Sequence, residues 1–452
     1  RAPVYGSRGM VACSQPLASE AAMRVLQKGG TAADACVAAA AALNVTEPCS
    51  TGIGGDAFAL FYNGQTKKVE CLQGCGRSPA GMTLEAVQKH PDMAGRTELP
   101  PLSALCCTVP GAAATWEAAV KRWGRLSLAE AHKSEFVEPV STSYRGRLRL
   151  WECPPPTQGV TALMALNLLE QERQEARLSA AAIHAQAEAL RFAFADALQF
   201  CSDPSESSGA GEAAARLLDK QRAADRWAKM FSRSARAKGV MPDSAAFGPL
   251  KAGPDTVYLC AADRWGNACS FINSNYMGFG TGIVPDGCGF TLQNRGHNFI
   301  VRDGHPNCVG PNKFCYHTII PGMVTHESSG DLFCALGVMG AFMQPQGHLQ
   351  VLCAMADYGL DPQAALDQPR FCLQGVDSAL GPASVENATL LLEDGIPEET
   401  QAELARLGHP CRLVTGWDRH VFGRGQIICR DPVTGVLVGG TEPRADGGIV
   451  AW

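Results

Sequence analysis

The sequence predicts an α/β protein in which paired strands are covered by helices in layers. Helical spacing of apolar residues dominates the first half of the chain, whereas short paired apolar runs dominate from Thr256 onward. A helix predicted over residues 32–44 is apolar on nearly every face, so it must be buried between other layers. The chain has 452 residues, of which 46% are hydrophobic and 18% charged, and this excludes a disordered or coiled-coil protein.

Local signals place the first two helices. Ser19 is a candidate N-cap for a helix that Gly29 and Gly30 end, because glycine is favoured just beyond a helix C-terminus. Thr31, with Asp34 three residues later, then begins the helix over residues 32–44 in the manner of a capping box.

The later elements follow from the two periodicities of helices and strands. A glycine-rich loop over residues 51–56 precedes the first predicted hairpin, and residues 202–211 are predicted to be a flexible surface segment. The predicted helices cover residues 161–171 and 179–200, and the predicted strands cover residues 57–62, 69–72, 256–262, 268–274, 319–325, 332–338, 426–429 and 436–438.

Charge and hydropathy exclude several kinds of partner. The 39 basic and 44 acidic residues give a net charge of -5, so nothing draws the chain to nucleic acid or to an anionic membrane. The apolar runs over residues 35–43 and 332–343 are shorter than the ~20 residues of a membrane span. We therefore expect a soluble protein, with the cytoplasm favoured, although the chain begins at Arg1 and shows no leader.

The cysteines and histidines predict neither a metal nor a cofactor. The 19 cysteines include no CxxC pair, and the 10 histidines have no HxxxH or HExxH spacing. We interpret the cysteines as scattered reduced core residues, with one or two disulfides as the alternative.

The strongest functional signal lies at Thr256. A hairpin centred on Trp265 places Thr256 opposite Ser274, with Cβ atoms ~5 Å apart. A structural interpretation is a Thr–Ser cross-strand pair. The functional interpretation is that the chain cuts its own Asp255–Thr256 bond, after which the new α-amine of Thr256, with a pKa near ~8, activates its own hydroxyl.

Several short motifs resemble one family along nearly the whole chain. The sequence Gly52-Ile53-Gly54-Gly55 resembles the amino-terminal signature of γ-glutamyltranspeptidases, and Asp255-Thr256 resembles the start of their small subunit. Asn294-Arg295-Gly296 and Met343-Gln344-Pro345-Gln346 are similar to the glutathione hydrolase-like proenzyme branch.

The resemblance implies a fold and a division of the chain. The fold would be the four-layer αββα sandwich of amino-terminal nucleophile hydrolases. The chain would be cut into a large-subunit-like segment, residues 1–255, and a small-subunit-like segment, residues 256–452. Roughly 100 residues of the family pattern are missing near residues 133–136, an amount that corresponds to a small domain.

The resemblance also implies roles for individual residues. Ser274 would orient Thr256, and Gly340 and Ala341 would donate backbone N–H groups to the oxyanion, with a tight turn as the alternative for Gly340. Asn298 replaces the family's carboxylate for the substrate ammonium.

Three further residues are candidates for substrate binding. His317 and Thr318 replace a pair of serines, and a buried core histidine is the alternative interpretation of His317. Cys75 replaces the arginine for the substrate carboxylate, and Arg77 lies nearby but out of register.

The resulting hypothesis is a self-processing threonine amidohydrolase or acyltransferase acting on γ-glutamyl or related amides. Its partners would be a small amide substrate, water or an amino-acid or peptide acceptor, and its own two fragments. The alternative is an inactive relative that serves as an interaction scaffold.

Overall fold

The computed structural model describes residues 1–126, 135–205, 210–240, 256–375, 385 and 388–452. Within these residues the strands are β1 (Val4–Gly6), β2 (Met10–Cys13), β3 (Asp56–Tyr62), β4 (Val69–Gly74), β5 (Glu135–Val137), β6 (Val140–Tyr144), β7 (Leu148–Glu152), β8 (Val257–Ala262), β9 (Ala268–Ser274), β10 (Gly322–His326), β11 (Leu332–Met339), β12 (Phe371–Gln374), β13 (Thr389–Glu393), β14 (Cys411–Val414), β15 (Arg424–Arg430), β16 (Leu437–Thr441) and β17 (Gly448–Ala451). The helices are α1 (Pro16–Gln27), α2 (Ala32–Thr46), α3 (Leu84–Gln88), α4 (Ala112–Trp123), α5 (Gly159–Leu169), α6 (Ala180–Phe200), α7 (Ala210–Leu217), α8 (Lys220–Met230), α9 (Met343–Tyr358), α10 (Pro362–Asp367) and α11 (Glu398–Arg406).

Two seven-stranded sheets form the centre of the fold. The first sheet has the order β1-β16-β15-β11-β10-β7-β6, and the second has the order β17-β2-β8-β9-β3-β4-β5. A small third sheet contains β12, β13 and β14. In the second sheet the hairpin of β8 and β9 lies between β2 and β3, so strands from both halves of the sequence are neighbours.

Three apolar clusters bind the layers together. One fills the space between the two large sheets and includes Phe58, Tyr258 and Met323. The second joins α1, α2 and α4 to the outer face of the second sheet, and the third joins α5, α6 and α9 to the outer face of the first. The structure therefore confirms the four-layer αββα sandwich.

The two amino-terminal helices begin differently. The prediction for Ser19 is wrong: α1 begins at Pro16 after Gln15, because proline at the first helical positions has a suitable φ and needs no donor. Ser19 lies inside the helix, where its hydroxyl donates to the Gly448 carbonyl at 2.8 Å. The capping box of α2 is confirmed, since Thr31 and Asp34 satisfy each other's backbone N–H groups.

The cysteines are free thiols. All 19 lie within the described residues and none of them forms a disulfide there. The two thiols of Cys71 and Cys153 approach to 3.1 Å between the sheets. Most of the 19 cysteines are buried, as expected for core residues. That they are reduced in solution stays a prediction. In the part of the chain that the structure describes, no helix is both long and apolar enough to cross a membrane.

Candidate active site

Thr256 immediately precedes β8, and the β8–β9 hairpin fixes its position. The ladder runs from Ala262 opposite Ala268 to Val257 opposite Asn273. Asp263 holds the turn, because its Oδ1 accepts from the backbone N–H groups of Trp265 and Asn267 at 2.9 and 3.1 Å. The predicted register centred on Trp265 is confirmed.

The hydroxyls of Thr256 and Ser274 share a buried hydrogen bond. Their Oγ atoms are 2.9 Å apart, and the two residues are 3% and 0% exposed. The Ser274 oxygen also accepts from the Tyr276 N–H at 2.9 Å. Because that second bond fixes the Ser274 side chain, Ser274 presents its hydroxyl to Thr256 in one orientation.

An arginine on the first sheet holds the Thr256 backbone. Arg424 Nη2 donates to the Thr256 carbonyl at 3.3 Å, and its Nη1 pairs with Glu47 at 3.0 Å. In the first sheet, Arg424 is the partner of Met339, the residue before Gly340. The predicted nucleophile and the predicted oxyanion residues therefore lie at the same end of the sandwich.

Asp56 lies beside Ser274 and is hydrogen-bonded to a histidine. In the β3–β9 ladder Asp56 is the partner of Ser274. Asp56 Oδ1 accepts from the Gly111 N–H at 3.3 Å, and its Oδ2 is 3.1 Å from His317 Nε2. Since His317 Nδ1 accepts from the Ile319 N–H at 3.4 Å, we assign the imidazole proton to Nε2, which donates to Asp56.

Burial controls the charges of this pair. The pKa of His317 is well below its ordinary value because the ring is buried and because the cation of Arg295 is nearby. Burial raises the pKa of Asp56 to about 7, and Arg295 opposes that shift without cancelling it. His317 is therefore neutral, and Asp56 is protonated in a sizeable fraction of molecules at neutral pH.

Arg295 forms a polar cluster with Asp56 and His317. Its side chain is fully buried, its Nη1 donates to Thr318 Oγ1 at 2.6 Å, and its guanidinium lies 4.4 Å from the centre of the Tyr276 ring. Its Nε is 3.9 Å from Asp56 Oδ2, which is outside hydrogen-bond distance. Burial lowers the pKa of this arginine, and the carboxyl of Asp56 opposes that shift.

Gly340 and Ala341 form a left-handed turn before α9. Their φ angles are +136° and +49°, and their carbonyls accept from the N–H groups of Met343 and Gln344 at 2.8 and 3.2 Å. Gln158 Nε2 links this turn to the cluster, because it donates to the carbonyls of Ala341 and Thr318. The structure thus shows the tight turn at Gly340. The oxyanion role of the Gly340 and Ala341 N–H groups stays a prediction.

Asn298 is close to the cluster, and each of its two side-chain polar atoms has a hydrogen-bond partner. Its Oδ1 accepts from the Tyr276 hydroxyl at 2.6 Å, and its Nδ2 donates to the Tyr316 carbonyl at 3.0 Å. The side chain therefore supports Tyr276 in this structure.

Arg77 lies outside this hydrogen-bonded cluster. It pairs with Asp203 at 2.6 Å, donates to the Asn312 carbonyl at 3.0 Å and packs over the Phe314 ring. Arg77 lines a separate, mainly apolar cavity of about 730 Å³. The prediction of a surface segment over residues 202–211 is wrong at its start, because Asp203 is only 1% exposed and is held by Arg77 and by the Phe314 N–H.

Two residues of the cluster had no role in the sequence interpretation. Asp56 and Arg295 occur in the quoted motifs, but only the fold brings them together. A charged residue directly after a glycine-rich loop, as at Asp56, was the available signal. Asp255, the other side of the predicted cleavage bond, lies outside the described residues.

A second buried polar cluster has the residue types of a metal site. His184, Glu188 and His409 could place three ligand atoms within 4.8 Å of one another. However, His184 Nδ1 and His409 Nε2 are joined by a 2.7 Å hydrogen bond, and Glu188 is paired with Arg191 at 2.5 Å. These groups satisfy each other, and the nearby arginine cation disfavours a dication.

Comparison with known proteins identifies the family. The γ-glutamyltranspeptidase family model matches residues 18–132 and 129–452 of the chain. The chain belongs to the γ-glutamyltranspeptidase family. This family consists of amino-terminal nucleophile amidohydrolases, and the sequence resemblance is confirmed.

Individual relatives match over almost their whole length. The glutathione hydrolase-like YwrD proenzyme of Bacillus subtilis is 29% identical and is covered over 99% of each chain. The solved cephalosporin acylase of Bacillus halodurans is 34% identical, with a TM-score of 0.85 and coverage of 100% of this chain and 97% of that one. The oxamate amidohydrolase proenzyme of Klebsiella pneumoniae is 25% identical over 99% of each chain.

Proposed function

We propose that this member of the γ-glutamyltranspeptidase family is a zymogen that cleaves its own Asp255–Thr256 bond and then hydrolyses amides with Thr256 as nucleophile. The observation that carries the proposal is the buried 2.9 Å bond between the hydroxyls of Thr256 and Ser274 at the start of a strand. The proenzyme names of its relatives support the processing step.

Cleavage would proceed by an N-to-O acyl shift. The Thr256 oxygen attacks the Asp255 carbonyl carbon, a C–O bond forms, the peptide C–N bond breaks, and the leaving nitrogen takes the proton. Water then opens the ester and releases the Asp255 carboxylate and the Thr256 hydroxyl. Ser274 would orient the attacking oxygen, and Arg424 would hold the Thr256 carbonyl during the shift.

Turnover would use the new amino terminus. The α-amine, with a pKa near ~8, takes the hydroxyl proton while the oxygen attacks the carbonyl carbon of the substrate amide. The amide C–N bond then breaks, the leaving amine takes that proton from the α-amine, and the acyl group stays on Thr256 as an ester. The N–H groups of Gly340 and Ala341 would stabilise the oxyanion, and water or an amino-acid or peptide acceptor would release the acyl group from Thr256.

The two fragments would remain together after cleavage. The strand β8 pairs with β2, and β9 pairs with β3, so residues from both sides of the cut share one sheet. Separation would expose the apolar cluster between the sheets. The proposed cut would therefore give two covalent chains, residues 1–255 and 256–452, that stay together in a single fold.

The substrate would lack an α-ammonium group. Asn298 offers no anion, and its two polar atoms are already bonded to Tyr276 and Tyr316. A desolvated ammonium without a partner is costly, so a glutaryl amide is the better substrate than a γ-glutamyl amide.

An unprocessed scaffold is the second candidate function. The YwrD alignment spans 550 positions and this chain has 452 residues, so at least 98 aligned positions have no residue here. This length difference supports the predicted shortening near residues 133–136. That this chain lacks so many of a relative's aligned positions is the reason to consider an unprocessed scaffold.

Hydrolysis of p-nitroanilides tests the proposal. Purified protein should release p-nitroaniline from the glutaryl compound, and Thr256→Ala should release none. A kcat/KM more than about tenfold higher for the γ-glutamyl compound, ~1.4 kcal/mol, would contradict the proposed specificity. Absence of hydrolysis in both proteins would favour the scaffold.

A further inference from the structure

Arg295 carries an unused binding edge inside the candidate active site. Its side chain is fully buried, and within the described residues its Nε and Nη2 atoms have no hydrogen-bond acceptor. Among the described residues, the hydrogen bond of its guanidinium is the one from Nη1 to Thr318 Oγ1. A buried cation with two unsatisfied donors is unfavourable unless an anion completes it.

The same edge of other arginines in this chain binds carboxylates. Nε and Nη2 lie side by side on one edge of the planar guanidinium and match the two oxygens of a carboxylate. Arg149 uses this edge to bind both oxygens of Glu327, at 3.0 and 2.6 Å. Arg233 uses it to bind Glu172, at 3.0 and 2.7 Å.

Asp56 does not fill this edge. Its Oδ2 is 3.9 Å from Nε, and its two oxygens already accept from His317 and from the Gly111 N–H. The pKa of Asp56 is raised to about 7 by burial, so its carboxyl neutralises Arg295 only in part at neutral pH. Arg295 therefore keeps part of its positive charge and, within the described part of the chain, two unpaired donors, which are the groups that a second carboxylate would bind.

We propose that the Nε and Nη2 edge of Arg295 binds a carboxylate at the far end of the substrate's acyl group, so that the substrates are amides of dicarboxylic acids such as glutaric acid. This specificity role rests on the proposed function, because it takes Thr256 as the nucleophile.

The spacing of the site suits an acyl group of about five carbons. Thr256 Oγ1 is 2.9 Å from Ser274 Oγ, Ser274 is the ladder partner of Asp56, and Asp56 Oδ2 is 3.9 Å from Arg295 Nε. Arg295 is thus on the order of 10 Å from the nucleophile, given cross-strand Cβ distances of ~5 Å. A glutaryl group covers about 5 Å between its two carbonyl carbons, with about 3 Å of contact at each end.

The test compares glutaryl and butyryl p-nitroanilide, which differ by the distal carboxylate. In the mature protein, kcat/KM should be at least about tenfold higher for the glutaryl compound, the effect of a charge-assisted hydrogen bond. Arg295→Gln should bring that ratio close to one while butyryl hydrolysis changes only a few-fold, and Arg295→Lys should retain part of it. A ratio near one in the unmodified protein would overturn the proposal whether or not the variants fold.

Arg77→Gln is the matched rival variant. Arg77 is the arginine that the sequence predicted to bind substrate, and it lines a cavity whose lining does not include Arg295. Loss of the glutaryl preference in Arg77→Gln but not in Arg295→Gln would overturn the assignment to Arg295.

Calorimetric titration with glutarate separates this inference from the proposed function. If the protein hydrolyses neither anilide, the proposed function fails, and binding decides the inference. Saturable glutarate binding that Arg295→Gln abolishes would support it, and absence of glutarate binding to the unmodified protein would overturn it.

Discussion

Ser274→Ala separates the catalytic from the structural interpretation of the cross-strand pair. The substitution removes the oxygen that lies 2.9 Å from Thr256 Oγ1 and accepts from the Tyr276 N–H at 2.9 Å. We expect the rates of both processing and turnover to fall by roughly 10- to 1,000-fold, ~1.4 to 4 kcal/mol, because Thr256 loses its orienting partner. The free energy of unfolding should fall by ~1 to 3 kcal/mol, because the Tyr276 N–H loses this acceptor.

Ser270→Ala is the matched control. Ser270 lies on the same strand and is equally buried, and its hydroxyl makes a 2.7 Å bond to Tyr258. It should lose similar stability without a large change in rate. The assays are the fraction of cleaved chain over time on SDS gels, anilide hydrolysis and thermal melting. Equal rate losses in Ser270→Ala and Ser274→Ala would refute the catalytic interpretation.

Two further predictions concern the pH dependence and the turn before α9. Asp56 binds its proton more tightly in the folded state, where its pKa is about 7, than in the unfolded chain, where it is ~3.9. Its contribution to the free energy of unfolding is therefore complete below about pH 4. That contribution, up to ~4 kcal/mol, is lost as the pH rises to about 7. Asp56→Asn should flatten that part of a melting-temperature profile, and an unchanged slope would contradict the burial argument. Ala341→Gly should stabilise the protein by ~1 kcal/mol in thermal melting, because glycine adopts the φ of +49° at this position without the strain of an alanine. Turnover should stay unchanged, because the backbone N–H is kept. A loss of stability would contradict the inferred backbone strain.

The sequence predicted those features that depend on neighbouring residues. The Trp265-centred register brought Thr256 to Ser274, since a hairpin with a short turn leaves little freedom in pairing. The capping box at Thr31 likewise depends on one helical turn. Ser19 shows the limit of such reasoning, because Pro16 in the preceding turn was the stronger helix start.

The polar cluster beyond Ser274 could not be predicted in the same way. Asp56 and His317 are 261 positions apart in the sequence, and their contact depends on the packing of the two sheets. The serines and the proline beside Asp203 predict an exposed segment, whereas Arg77 and the Phe314 N–H hold this carboxylate in a buried position. The residue types around a position predict its average exposure to solvent, but they cannot identify a distant residue, such as Arg77, that binds it.

Intact mass and amino-terminal sequencing of the purified protein test the central claim most directly. The account predicts two fragments, one of which begins at Thr256, and a single uncut chain for Thr256→Ala under the same conditions. A protein that hydrolyses amides as one uncut chain, or a Thr256→Ala variant that is cut at the same bond, would contradict it.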